Sequence, residues 1–219
     1  MIIGLVGFIG SGKGTIADLL CTHHGFIKES FAAAGKDAAS VIFGWDRSML
    51  EGDTPKSREW REKPDEWWSK NLGIELSPRK ALQLLGTESG RHVFGENLWV
   101  LSLKNRIKQG KNYVVADVRF PNEIAAIREI GGKIVRVQRG SNPIWYTSAL
   151  HVNMKKDFYI MAEKYPEVHY SEWAWIGQSF DYHFDNNCQL YDLPKRVDNL
   201  ASFAYNKTVE DYVPNEVII

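Results

Sequence analysis

Short apolar runs alternate along the chain with stretches of helical period. Ile2-Ile3-Gly4-Leu5-Val6 opens the series. Tyr113-Val114-Val115-Ala116-Asp117 and Ile134-Val135-Arg136-Val137-Gln138 follow, with a weaker run at 180–185 and a further short one at 26–31. Continuous apolar runs of this length suit strands covered on both faces. Helical patterns fill the intervals at 13–23, 35–44, 78–90, 96–109, 122–130 and 192–204. This order predicts an α/β fold, a parallel sheet flanked by helices. Ligands of such sheets bind beyond the carboxyl ends of the strands. Residues 7–15 and 117–123 fall at two such ends and are expected to face one crevice.

Two stretches break the alternation. Residues 46–77 are dense in charge and tryptophan, as in Trp60-Arg61-Glu62-Lys63-Pro64-Asp65-Glu66-Trp67-Trp68. They read as an insert over a sheet edge or a substrate cleft, whose tryptophans either stack a base or pack the insert down. Residues 140–172 mix aromatic and basic residues with Gly140, Asn142, Pro143 and Pro166, and read as a lid that closes over substrate. The expected organisation is one domain, 1–219, with these two additions.

Composition narrows the class. An apolar share of 44% and a charged share of 25% over 219 residues suit one globular core. Formal net charge is zero, so no global field draws the chain to nucleic acid or a membrane. Cys21 and Cys188 are too few for a disulfide framework, which favours a reducing compartment. No apolar stretch reaches the roughly 20 residues that span a bilayer. The expected location is cytoplasmic. A homodimer stays open because of the tryptophans.

The chemistry starts at Gly7-Phe8-Ile9-Gly10-Ser11-Gly12-Lys13-Gly14-Thr15. This is G-x-x-x-x-G-K between a strand and a helix, the spacing of a phosphate-binding P-loop. Its glycines let successive N–H groups turn toward one anion. The helix N-terminus adds partial positive charge, and Lys13 reaches the terminal phosphates. The hydroxyl that usually follows the lysine is displaced by one position, to Thr15. This form resembles adenylate kinase and its relatives. It implies ATP with Mg²⁺ held through water near Thr15 and Asp117, with no direct metal ligand from the protein.

Two further constellations fit an acceptor. Arg79, Gln83 and Thr87 are spaced by four, one stripe of guanidinium, amide and hydroxyl on a helix that Ser77 and Pro78 can start. An ordinary solvated face is the plain alternative. Asp117-Val118-Arg119-Phe120-Pro121-Asn122-Glu123 ends a core strand. Asp117 can orient metal-bound water, and Arg119 can neutralise phosphate. Arg119 and Glu123 can equally pair with each other, and Asn122 and Glu123 also suit a helix start. Lys36, after Gly35, stands near a helix start, where it meets either a phosphate or solvent. His169 is not taken as a general base, since phosphoryl transfer has little need of one.

These segments together resemble the phage-type deoxynucleoside monophosphate kinases. The resemblance rests on G-S-G-K-G-T, F-A-A-A-G-K-D, R-K-A-L-Q-L-L-G-T-E-S-G-R, Trp99, D-V-R-F-P-N-E, G-G-K-I-V-R-V-Q-R, H-Y-S-E and F-D-N-N-C-Q-L-Y-D-L. It implies a P-loop, adenylate-kinase-like fold and transfer of the ATP γ-phosphoryl group to a deoxynucleoside 5′-monophosphate. By position, Gly10, Ser11, Gly12, Lys13, Gly14 and Thr15 would hold the ATP phosphates, with Ser171 and Asn187 near ribose and adenine. Lys36, Arg79, Gln83, Gly86, Thr87, Trp99, Asp117, Arg119 and Glu123 would line the monophosphate pocket. Lys13, Arg79, Asp117 and Arg119 would carry catalysis. Arg136 or Arg139, with Lys155 and Lys156 of the lid, would cover the transferring group. Cys188 stands where the family commonly has a glycine. Rival readings are another small-molecule P-loop kinase, acting on dephospho-coenzyme A or phosphomevalonate, or a nucleotide-binding switch. The missing hydroxyl after Lys13 and the lack of an N-K-x-D motif speak against a switch.

Overall fold

The structure is a computed structural model and describes residues 1–155 and 159–205. The described residues form two compact units, one from within 1–28 and 110–205 and the other from 29–109.

The first unit opens with β1 (Ile2–Val6) and α1 (Lys13–His24), followed by β2 (Ile27–Glu29) at its boundary. The second unit holds α2 (Ala33–Phe43), α3 (Pro55–Glu62), α4 (Glu66–Leu72) and α5 (Pro78–Gln83). A π-helix (Leu84–Arg91) continues α5 and leads to the single turn α6 (His92–Phe94) and to α7 (Leu98–Arg106). The chain then completes the first unit with β3 (Tyr113–Val115), α8 (Pro121–Glu129) and β4 (Lys133–Gln138). After these come α9 (Tyr146–Lys155), α10 (Tyr159–Lys164), β5 (Tyr182–Asp185) and α11 (Leu193–Tyr205).

The sheet runs β2-β3-β1-β4-β5. β1 pairs in parallel with β3, Ile3 opposite Val114, and with β4, Leu5 opposite Val135, and β4 pairs in parallel with β5. All five residues of β1 are buried, as a central strand covered on both faces requires. Ile16 and Leu20 of α1 and Val197 and Leu200 of α11 join Ile3, Leu5, Val114 and Val135 in one core cluster. α8 packs on β1 and β4. There a Cβ on Gly4 would meet Ile127 at 2.5 Å, so the glycine lets α8 close on β1.

β1 matches the expected run and β4 gains Lys133, while β2, β3 and β5 are shorter than the runs at 26–31, 113–117 and 180–185. Ala116 and Asp117 leave the ladder because the β1 register ends at Gly4 opposite Val115. The helix expected over 78–90 is α-helical only to Gln83. Beyond it the wider π turn brings Gly86 and Gly90 against Trp99, which takes the Gly86 carbonyl. Residues 46–77 carry α3 and α4, and 140–172 carry α9 and α10.

The second unit has its own apolar centre. Ala39, Trp45, Leu50, Leu76 and Ala81 are buried together, with Trp60 and Trp68 packed against them. Trp45 stacks on Phe43 and donates to Asp65 at 2.8 Å, and Trp68 donates to the Phe43 carbonyl at 3.0 Å. Trp45 and Trp68 thus spend both ring and N–H on packing, Trp60 sets its ring edge-on to Trp45, and Trp67 is exposed. No helix among the described residues is long and apolar enough to cross a membrane.

Candidate active site

The P-loop lies where β1 passes into α1. Gly7 comes so close to β4 that a Cβ would sit 2.3 Å from the Val137 carbonyl oxygen. Gly12 caps α1 in the left-handed region, at φ 95°, and a Cβ there would lie 2.2 Å from Asn186 Nδ2. That amide donates to the Ser11 carbonyl at 2.8 Å, and both Asn186 and Ser11 are buried. The β5 loop therefore fixes the phosphate loop from below. Gly10 and Gly14 have open space where a side chain would stand, and Thr15 is exposed. A cradle of glycine backbone at a helix N-terminus fits a polyphosphate.

Lys13 folds back onto this loop. Its ammonium donates to Gly7 O at 2.7 Å, Phe8 O at 2.8 Å and Ser11 Oγ at 3.4 Å. Burial lowers its pKa from 10.5 to about 8, and the charge of Arg119 adds to this, while Glu172 and Asp117 oppose it. Lys13, Asp117 and Arg119 thus occupy one electrostatic neighbourhood in the first unit, as the strand-end argument expects.

Arg119 does not pair with Glu123 through its guanidinium. Its Nη1 donates to Glu172 Oε1 at 2.7 Å and to Ser171 Oγ at 3.2 Å. Ser171 Oγ also meets His169 Nδ1 at 2.8 Å. Glu123 is buried and accepts the backbone N–H groups of Arg119 at 2.8 Å and Phe120 at 3.1 Å. Its carboxylate closes the first turn of α8, whose start Pro121 favours.

Aromatic side chains tie the loop to the segment after β4. Phe8 packs edge-on to Trp145 and Tyr146 and lies 5.0 Å from Trp175. The Arg136 guanidinium lies over Tyr146, Trp175 and Phe180 and donates to Asn142. Arg139 and Lys155 are exposed, and Lys156 lies outside the described residues. Asn187 accepts the Gly140 N–H at 2.7 Å and donates to Asp185 at 2.7 Å, so it joins the loops beyond β4 and β5.

The remaining acceptor candidates belong to the second unit. Lys36 pairs with Glu51 at 2.5 Å, and Arg47 bonds Glu51 and Asp37. Burial raises the Glu51 carboxyl, but the Lys36 and Arg47 bonds outweigh it and hold it below its ordinary value. Arg79 pairs with Glu62 at 3.0 Å, and buried Arg91 with Glu96 at 3.4 Å. Gln83 is exposed and Thr87 half-buried. Trp99 donates to Gly86 O at 2.8 Å. Among the described residues no group of three or more His, Cys, Asp or Glu side chains is placed to hold a metal ion.

Four residues of this arrangement have contacts that the motifs do not assign. Asn186 had one signal, its place beside Asn187. Glu172 stands within H-Y-S-E. Phe8 is a large apolar side chain in a loop otherwise of small residues. Glu51 gave no signal.

A parallel sheet with G-x-x-x-x-G-K seated between its central strand and the following helix defines a P-loop nucleotide-binding protein. No family model matches the chain. Individual relatives carry the assignment further. A protein of Acanthamoeba polyphaga mimivirus, named as a deoxynucleotide monophosphate kinase, is 33% identical over 153 residues, covering 64% of this chain and 74% of the relative. Deoxynucleoside-5′-monophosphate kinase of Escherichia phage T5 is 29% identical over 183 residues, covering 59% and 72%. The chain belongs to the deoxynucleoside monophosphate kinase family. Solved structures resemble it distantly. A gluconokinase from Sinorhizobium meliloti 1021 is 14% identical with a TM-score of 0.38 over 92% of both chains. A dephospho-CoA kinase from Campylobacter jejuni is 14% identical with a TM-score of 0.36 over 94% of this chain and 98% of its own.

Proposed function

We propose that the chain transfers the γ-phosphoryl group of ATP to a deoxynucleoside 5′-monophosphate, giving ADP and the deoxynucleoside diphosphate. The observation that carries the reading is the seat of Lys13, an ammonium held on the carbonyls of an open glycine cradle in a chain of this family. An incoming polyphosphate supplies better acceptors than those carbonyls, so Lys13 turns outward onto it. The loop N–H groups and the α1 terminus hold the donor phosphates.

An oxygen of the acceptor phosphate attacks the γ-phosphorus. The bond from that phosphorus to the β–γ bridging oxygen breaks, and the bridging oxygen leaves with ADP. Thr15 and Asp117 would hold, through water, the Mg²⁺ that comes with the triphosphate, and the ion would offset part of the triphosphate charge. Arg119 exchanges Glu172 for phosphate oxygens and offsets charge on the transferring group. Lys36, Arg79, Gln83 and Thr87 are the second unit's groups for the acceptor. Catalysis is positioning plus electrostatics, with no covalent intermediate.

The test mixes the protein with ATP and Mg²⁺, adds each deoxynucleoside monophosphate and its ribose counterpart in turn, and follows ADP. ADP that depends on a deoxynucleoside monophosphate is expected. No stimulation by any of them overturns the reading. Arg119→Ala should raise the acceptor KM far more than the ATP KM.

A further inference from the structure

Three glycines of the second unit meet one side chain. The Trp99 indole N–H donates to the Gly86 carbonyl at 2.8 Å. A Cβ on Gly90 would lie 2.6 Å from the Trp99 ring, and one on Gly35 would lie 3.3 Å from it. The Gly90 distance is closer than side-chain carbons approach, and the same Cβ would lie 2.7 Å from the Leu85 carbonyl oxygen, so a side chain at 90 must move both the ring and the π-helix backbone. The ring comes from α7, which is anchored by buried Val100 and Leu103. It bears on the first turn of α2 and on two turns of the π-helix. Lys36 directly follows Gly35, Thr87 directly follows Gly86, and Gln83 sits just before the π-helix.

The helix type strengthens the link. π turns are rare and often sit at functional sites. Here the indole N–H donates to the Gly86 carbonyl, while its benzo ring fills the space left by Gly90. A phenylalanine offers the plate without the donor. An indole is the side chain that supplies both at once.

We infer that Trp99 is a positioning residue that fixes the spacing between Lys36 on α2 and Gln83 and Thr87 along the widened helix, rather than a platform for the acceptor base. This rests on the acceptor groups given under the proposed function. It predicts that disturbing the ring affects every acceptor alike, because the shared phosphate and sugar groups shift. A base platform predicts unequal losses between purines and pyrimidines, since their stacking surfaces differ.

The test compares wild type, Trp99→Phe and Gly90→Ala in kcat and KM for four deoxynucleoside monophosphates and for ATP. Gly90→Ala keeps the indole but displaces it, and it also crowds the Leu85 carbonyl of the π-helix. Gly35→Ala, whose Cβ would have Trp99 ring atoms as its nearest neighbours, at 3.3 Å and beyond, is run beside it and separates the ring from the backbone effect. Both main variants should lose on the order of ten-fold to a hundred-fold in acceptor kcat/KM, by one common factor, with ATP KM nearly unchanged. Amide hydrogen exchange should speed up at 33–36 and 84–91 together in Trp99→Phe. Losses that differ by base, an unaffected glycine variant, or exchange altered in only one segment overturns the inference. Wild-type turnover in the same assay tests the functional reading separately, and the exchange result stands whatever that outcome.

Discussion

The buried charge of Lys13 ties nucleotide affinity to pH. Burial first and Arg119 second lower its pKa from 10.5 to about 8, so the ammonium is half neutral near that pH. A bound polyphosphate sets negative charge against Nζ and returns the pKa toward its ordinary value. The gap between 10.5 and about 8 corresponds to about 3 kcal/mol of differential interaction. The sign follows from proton counting. Above the free pKa the complex holds a proton that the free protein lacks, so binding takes up a proton and affinity falls as pH rises. With full recovery of the pKa, affinity drops roughly eight-fold between about pH 7.5 and about pH 9, and near pH 8.5 about 0.7 proton enters. Titration calorimetry in two buffers of different ionisation heat measures that uptake. Lys13→Arg is the control, because a guanidinium stays charged throughout this range. Wild type binding without proton uptake, or Lys13→Arg taking up the same amount, refutes the reasoning.

Three other outcomes follow from single contacts. Asn186→Ala removes the donor to the buried Ser11 carbonyl. It should cost about 1–3 kcal/mol in urea unfolding and raise the ATP KM, and an unchanged unfolding midpoint would remove Asn186 as the support of the loop. Glu172→Gln deletes the charge facing Arg119 and one that holds the Lys13 pKa up. The alkaline fall in ATP affinity should move to lower pH, and a move upward or none at all contradicts the placement. Glu123→Ala leaves the Arg119 and Phe120 N–H groups without their acceptor and should cost about 1–2 kcal/mol. Glu123→Gln keeps an oxygen there and should cost clearly less, so equal losses would argue that charge, not capping, is what matters.

How much could be read from the chain depends on the range of the interaction. β1, the P-loop and α1 are local in sequence, and apolar period plus glycine spacing specify them. The helix starts at Ser77 and Asp65 are local too, each side chain accepting an N–H three residues on. The end of α5 is not local. The π-helix after Gln83 packs on Trp99, which no window centred on 78–90 contains. Ion-pair partners are equally remote in sequence. Glu51 reaches Lys36 from 15 residues away and Glu172 reaches Arg119 from 53, and charge patterning cannot select them among 27 carboxylates. Asn186 meets Ser11 across 175 residues, through the placement of β5 next to β4.

Those partners follow a rule that bears on how substrate is captured. Lys13 rests on carbonyls, Arg119 on Glu172, Lys36 on Glu51 and Arg79 on Glu62, so the cations assigned to phosphate are paired before substrate arrives. A phosphate must displace the internal partner, and the cost depends on burial. The Arg79–Glu62 side chains are 41% and 58% exposed, so that pair is worth little and yields readily. Lys36 is only 13% exposed against Glu51, which Arg47 also holds. Separating Lys36 would leave a half-buried carboxylate with one cation fewer and strand a nearly buried ammonium, a larger penalty than at Arg79. Arg79 should therefore be the first of the second unit's cations to engage an acceptor phosphate. Lys36 should engage it only while Arg47 keeps Glu51 neutralised, which makes Arg47→Ala more damaging to acceptor affinity than its distance from any motif suggests. Acceptor KM in Arg47→Ala and Arg79→Ala decides the ranking: an Arg47→Ala effect no larger than that of an exposed lysine such as Lys63→Ala would show that Glu51 does not hold Lys36 back.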